Sequence, residues 1–81
     1  MPYNINQIEL DKNETITGSI TDSNIHYFVL EGKCNMTTVY NNDKMNVTVD
    51  AFKTYDIKSN VWVEISNPYD AVCKLLKINF F

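Results

Sequence analysis

The sequence has no arginine, and only two glycines, two prolines, two cysteines and one histidine in 81 residues. Each shortage excludes something. Seven lysines against ten Asp and Glu give a formal net charge of −3. That balance lacks the basic surface a phosphate backbone requires and argues against nucleic acid as a partner. It equally disfavours docking on an anionic membrane. Cys34 and Cys73 are too few for a disulfide-dense secreted scaffold and read as small buried hydrophobes. A bridge is open to them only if their strands are neighbours. One imidazole and no Cys-x-x-Cys pair leave no metal-ligating set. Two glycines make no phosphate-cradling loop, and no Ser stands in a Gly-x-Ser-x-Gly elbow, so the expectation is a non-enzyme without metal or cofactor. The first residues show no basic and apolar leader. The Leu75–Phe81 run is too short to cross a bilayer, so the predicted location is cytoplasmic.

What is present is apolar and β-forming. Hydrophobic residues make up 44% and aromatics 12%, too much for a disordered tail. The length fits one domain spanning residues 1–81, near the small end where oligomerisation often supplies missing burial. Three N-x-Thr triplets begin at Asn13, Asn35 and Asn46. Composition alone gives about 1.5 by chance, so they are read as by-products of Asn and Thr abundance.

Ile, Val, Thr, Tyr and Phe fill short runs punctuated by Asn, Asp, Ser and Gly. The predicted strands are Asn4–Leu10, Thr15–Thr21, Ile25–Glu31, Asn35–Tyr40, Met45–Asp50, Thr54–Ile57, Val61–Ser66 and Ala71–Phe81. No segment keeps a helical period, and turn signals recur every 8–12 residues or so. The fold class is all-β, a single antiparallel sandwich or barrel of about eight strands.

Several residues carry possible chemistry. His26 shares a strand face with Phe28 and Leu30; it is either a general base or polar anchor of a pocket, or a hydrogen-bonded His at a strand end. A residual isomerase using His26 with a Tyr is the one enzymatic option. Trp62 lies with Glu64 opposite the inward valines of its strand. It is either a contact surface for a ligand or partner, or a locally covered side chain. The last strand is apolar on both faces. This predicts a homo-oligomer, with a dimer favoured, whose interface includes Leu75, Ile78, Phe80 and Phe81.

The segment Tyr27-Phe28-Val29-Leu30-Glu31-Gly32 resembles the strand that opens the core of the cupin family of jelly-roll barrels. The order of strands and turns from about residue 15 to residue 79 follows the same plan. Metal-binding cupins place two His and a carboxylate before that strand, where this chain reads Gly18-Ser19-Ile20-Thr21-Asp22-Ser23-Asn24-Ile25. Their third His lies four positions before an Asn, here Asn67, and that position is Val63. The resemblance therefore implies a metal-free cupin-like barrel with interior residues His26, Met36, Tyr40 and Tyr55. If the interior is open, these bind a small polar ligand by stacking and hydrogen bonding; if it is filled, they are core. The stretch from Ile16 to Phe28 also resembles the start of bacterial prepeptidase C-terminal sandwich domains, which are non-catalytic.

Two functions follow. One is a metal-free barrel that binds a sugar or nucleotide-like ligand through His26, Met36, Tyr40, Tyr55, Trp62 and Glu64. The other is a phage- or mobile-element-type interaction module that inhibits or sequesters a host protein or signalling ligand.

Overall fold

Alternation of β-branched and polar residues passes directly into backbone. The computed structural model describes residues 2–81. Eight strands follow one another: β1 (Tyr3–Leu10), β2 (Thr15–Ile20), β3 (Asn24–Glu31), β4 (Lys33–Tyr40), β5 (Asp43–Asp50), β6 (Thr54–Ile57), β7 (Trp62–Ser66) and β8 (Cys73–Phe80). They form two antiparallel four-stranded sheets, a first in the order β1-β8-β3-β6 and a second in the order β2-β7-β4-β5. This is the jelly-roll arrangement. Strand ends differ from the sequence reading by one or two residues everywhere but in β6, and two of the shifts have a visible cause. β5 starts at Asp43, because Asn41 and Asn42, at φ 49° and 65°, make the turn between them. β8 starts at Cys73, because the Ala71 carbonyl is engaged by the Asn67 side chain instead of a ladder partner.

The inner faces meet in one core of Leu10, Ile25, Tyr27, Val29, Cys34, Met36, Val49, Ile57, Val63, Ile65, Cys73 and Leu75. Two expectations are corrected here. On β3 the inward residues are Ile25, Tyr27 and Val29, so His26 stands on the outer face with Phe28 and Leu30. Both faces of that strand are apolar, and alternation alone could not choose between them. On β8, Leu75 is wholly buried in its own domain and is unavailable to an interface.

None of the four phenylalanines belongs to the core; Tyr27 is its one aromatic. Cys34 and Cys73 are free thiols, both fully buried. Burial first, and the neighbouring Cys73 thiol second, push the Cys34 thiol up to about 12. Tyr27 is pushed up to about 12 by burial and by Cys34.

In the β5–β6 turn the Lys53 amide donates to the Asp50 carbonyl, and the Phe52 amide to Val29. Phe52 holds φ 67° and is 77% exposed. A bulky L-residue there costs ~1–2 kcal/mol that little burial offsets. Phe52→Gly is expected to raise Tm by a few degrees, a net gain of about 0.5–1 kcal/mol after the added chain entropy of glycine. An unchanged or lower Tm by calorimetry would show that the ring contributes packing.

The raised Tyr27 and Cys34 groups stay protonated in the folded chain while the unfolded chain ionises from about 9 upward. Stability is therefore full below that pH and is lost as pH climbs towards about 12, by up to ~1.4 kcal/mol per unit for each group. Urea midpoints should fall between pH 8 and pH 10.5; a flat profile contradicts the burial of these groups.

Candidate functional site

Two turns meet at one end of the sandwich, and a single hydroxyl joins them. Thr21, buried after β2, donates through Oγ1 to the Lys58 carbonyl at 2.8 Å and accepts from the Val61 amide at 3.1 Å. Its own amide donates to the Val61 carbonyl, and its carbonyl accepts from the Asn60 amide. Asn24 adds a further tie, its Oδ1 accepting from the Ser59 amide at 3.0 Å. The β6–β7 turn, with Asn60 at φ 66°, is thus held against the start of β3.

The pinned turn leaves a cleft of about 540 Å³ beside it, walled by Tyr40, Tyr55, Asn24 and the Lys58–Asn60 turn, with Thr38, Ile57 and Val61 towards the core. That volume lies within the usual range of small-molecule sites. Its walls combine two phenol rings, two carboxamides, hydroxyls from Ser59 and Thr38, the Lys58 ammonium, the Asp56 carboxylate and two aliphatic surfaces. Such a set stacks a planar group and hydrogen-bonds its edge. On the other side of Asp56 and Lys58 lies a smaller groove of about 320 Å³, bordered by His26, Asn24 and Phe80.

The six ligand candidates are distributed over four places. Tyr40 and Tyr55 meet in the cleft. Met36 is wholly buried in the core. His26 faces outward in the smaller groove, its Nδ1 hydrogen-bonded to Oδ1 of Asp56 across the β3–β6 pair. Trp62 and Glu64 lie on the outer face of the second sheet, in a shallow depression with Thr37, Val39 and Lys44. The Trp62 indole packs directly on Gly18, where any Cβ would overlap the ring. The local cover foreseen as one option for Trp62 is therefore present. Sequence reasoning missed Asn24, Lys58, Ser59 and Asn60, which it treated as turn formers only; their one signal was clustering in two turns of equal chemistry.

The positions where the resemblance implies metal ligands carry no donor set. In the Gly18–Ile25 stretch the buried side chains at the core are Thr21, Ser23 and Ile25, and the third His position is Val63, also buried. Thr21 Oγ1 is already occupied twice. Ser23 Oγ accepts from Asn79. Among the described residues no group of three or more His, Cys, Asp or Glu could hold a metal ion. The residues present do not fit a metal, and no reaction step runs through one.

The strand order and register define the class: this is a cupin-like jelly roll. No family model matches the chain, and no curated protein matches its sequence. Solved structures do. The Drosophila melanogaster CENP-C bound to CAL1 is similar with TM-score 0.89 at 14% identity over 94% of this chain. Hazelnut (Corylus avellana) vicilin gives TM-score 0.89 at 18% identity over 95% of this chain and 22% of its own. An RmlC-like cupin family protein of Methanocaldococcus jannaschii gives 0.81 at 18% over 95% of this chain and 68% of its own. The chain spans 63% of the CENP-C chain it matches. At these identities the likeness establishes the fold alone. Among the described residues no helix is long and apolar enough to cross a membrane.

Thr21→Val removes the hydroxyl and keeps the shape. Leaving the Lys58 carbonyl and Val61 amide without that partner should cost about 1–3 kcal/mol. Amide exchange should accelerate at Ser59 and Val61, while Thr21→Ser stays close to wild type. Unchanged exchange in the valine variant would remove Thr21 from its role in shaping the cleft.

Proposed function

We propose that this domain is a non-catalytic, metal-free cupin-like barrel that binds a small polar ligand, planar in part and of sugar or nucleotide type, in the cleft between Tyr40 and Tyr55. The observation that carries the reading is the convergence of those two rings with Asn24, Lys58, Ser59 and Asn60 around one cleft. The rings offer π-faces, the carboxamides and hydroxyls read the ligand's edge, and the Lys58 ammonium and Asp56 carboxylate offer one charged donor and one charged acceptor. The family's usual interior site supports the reading by contrast, since Ile25, Met36 and Val63 fill it. Binding is thereby displaced outward to the rim. On this reading the Ser59 hydroxyl and the Asp56 carboxylate of the cleft serve as polar contacts to the ligand.

The test is titration of the labelled protein with panels of nucleoside monophosphates and of mono- and disaccharides, read by amide chemical shifts. Shifts are expected at Asn24, Lys58, Ser59 and Asn60. Tyr40→Ala or Tyr55→Ala should weaken binding roughly tenfold each, the scale of one lost stacking contact. Absence of shifts in this group at millimolar ligand across both panels overturns the reading.

A further inference from the structure

The cleft at Tyr40 and Tyr55 and the smaller groove at His26 and Phe80 are two halves of one feature. Asn24, Asp56, Ile57 and Lys58 line both. Three of the four are the end of β6, the edge strand of the first sheet, and the residue after it. The two grooves therefore run along either flank of one short strand. Register fixes how far they reach. Asn24 lies beside Phe80 of β8 on one side, and on the other its Oδ1 accepts from the Ser59 amide. With ~4.8 Å between paired strands and ~10 Å between packed sheets, Phe80 and Tyr40 end a track on the order of 15 Å long. They stand on opposite sheets, and each ring is open to solvent, Phe80 at 39% and Tyr40 at 55%.

Charge along the track separates the two ligand types. Among the described residues Lys58 is the only ammonium lining either groove, and Asp56 lines both beside it. His26 engages Asp56 Oδ1 through Nδ1, and Asp43 stands opposite Tyr40 in the β4–β5 register. Phosphate is ordinarily held by Arg forks, helix N-termini or glycine-rich loops. The chain has no Arg, and its described residues form no helix. Neither Gly18 nor Gly32 lines the grooves. A phosphate would meet one ammonium already balanced by a carboxylate, in a chain of net charge −3.

A neutral polyol meets no such conflict. Each of its hydroxyls donates and accepts at once. The track supplies both roles, with Asp56 accepting, Lys58 donating, and the Ser59 hydroxyl and Asn60 carboxamide able to do either. The aromatic rings at its ends suit the apolar C–H faces of sugar rings, which a polar wall would leave uncovered.

We propose that the ligand is a neutral linear oligosaccharide, with one ring on Tyr40 and Tyr55, its middle over Asn24, Asp56 and Lys58, and another ring against Phe80. A track on the order of 15 Å calls for about three rings or more. The inference rests on the cleft reading given above and narrows it, by choosing sugar over nucleotide and by extending the site across β6 into the smaller groove.

The experiment is an amide-shift titration of the full chain with malto-, cello- and N-acetylchito-oligosaccharides of two to four rings, and with adenosine monophosphate. In at least one sugar series, shifts are expected at His26 and Phe80 as well as at Asn24, Lys58, Ser59 and Asn60. Its four-ring member should bind about tenfold more tightly than its two-ring member, the scale of covering one further apolar ring face. Phe80→Ala, checked for an unchanged circular dichroism spectrum, should erase that gain. The nucleotide should give no shifts at millimolar concentration. Shifts confined to the cleft with no gain from chain length overturn this inference and leave the cleft reading standing. So does a nucleotide that binds there more tightly than every sugar. No shifts with any of these probes overturns both.

Discussion

A carboxamide sealed from water must find partners for its donors and its acceptor, and Asn67 finds them in three segments. Its Nδ2 donates to the Leu10 and Ala71 carbonyls, each at 2.9 Å, and its Oδ1 accepts from the Tyr69 amide at 3.1 Å. Its backbone amide donates to Glu14, and its carbonyl accepts from the Asn13 amide. One fully buried residue thereby fixes the end of β1, the β1–β2 turn and the β7–β8 loop. Each bond satisfies a group that would otherwise be stranded away from water. The sandwich is closed at that end by polar satisfaction more than by apolar packing.

The opposite end is built differently, and the cleft results from the contrast. There Thr21 and Asn24 tie turn to turn through backbone groups, leaving the side chains of Lys58, Ser59 and Asn60 free to line a surface. Core residues rise almost to that level. Tyr27, Met36 and Val29 occupy the middle of the barrel, so the space available to a ligand begins only where the strands end. A filled middle, a sealed end and an open end together put the cleft at the rim of the sandwich.

Much of the fold could be read from the residues. All eight strands occur where β-branched alternation and Asn- or Asp-rich turns placed them, and the cupin-like order of segments is the observed one. Face assignment was harder wherever both faces of a strand are apolar. β3 carries Ile25, Tyr27 and Val29 on one side and His26, Phe28 and Leu30 on the other, so periodicity gave a period without a direction. β8 posed the same problem and hid Leu75 in the domain's own core. Tyr40 and Tyr55 both line the candidate cleft because each continues the inward parity of its strand beyond the last packed layer. Asn24 and the Lys58–Asn60 turn were not found, since a turn residue advertises backbone geometry and says nothing about which strand ends its side chain will face.

The pairing of β1 with β8 joins Tyr3 to Phe80 and leaves the Phe81 amide donating to the Pro2 carbonyl. The first of the eight strands therefore waits for the last. Until β8 arrives, β1 has no neighbour in its sheet, and β3 lacks its central partner. The first sheet closes only by pairing the first of the eight strands with the last, which is the slow, non-local closure characteristic of high contact order.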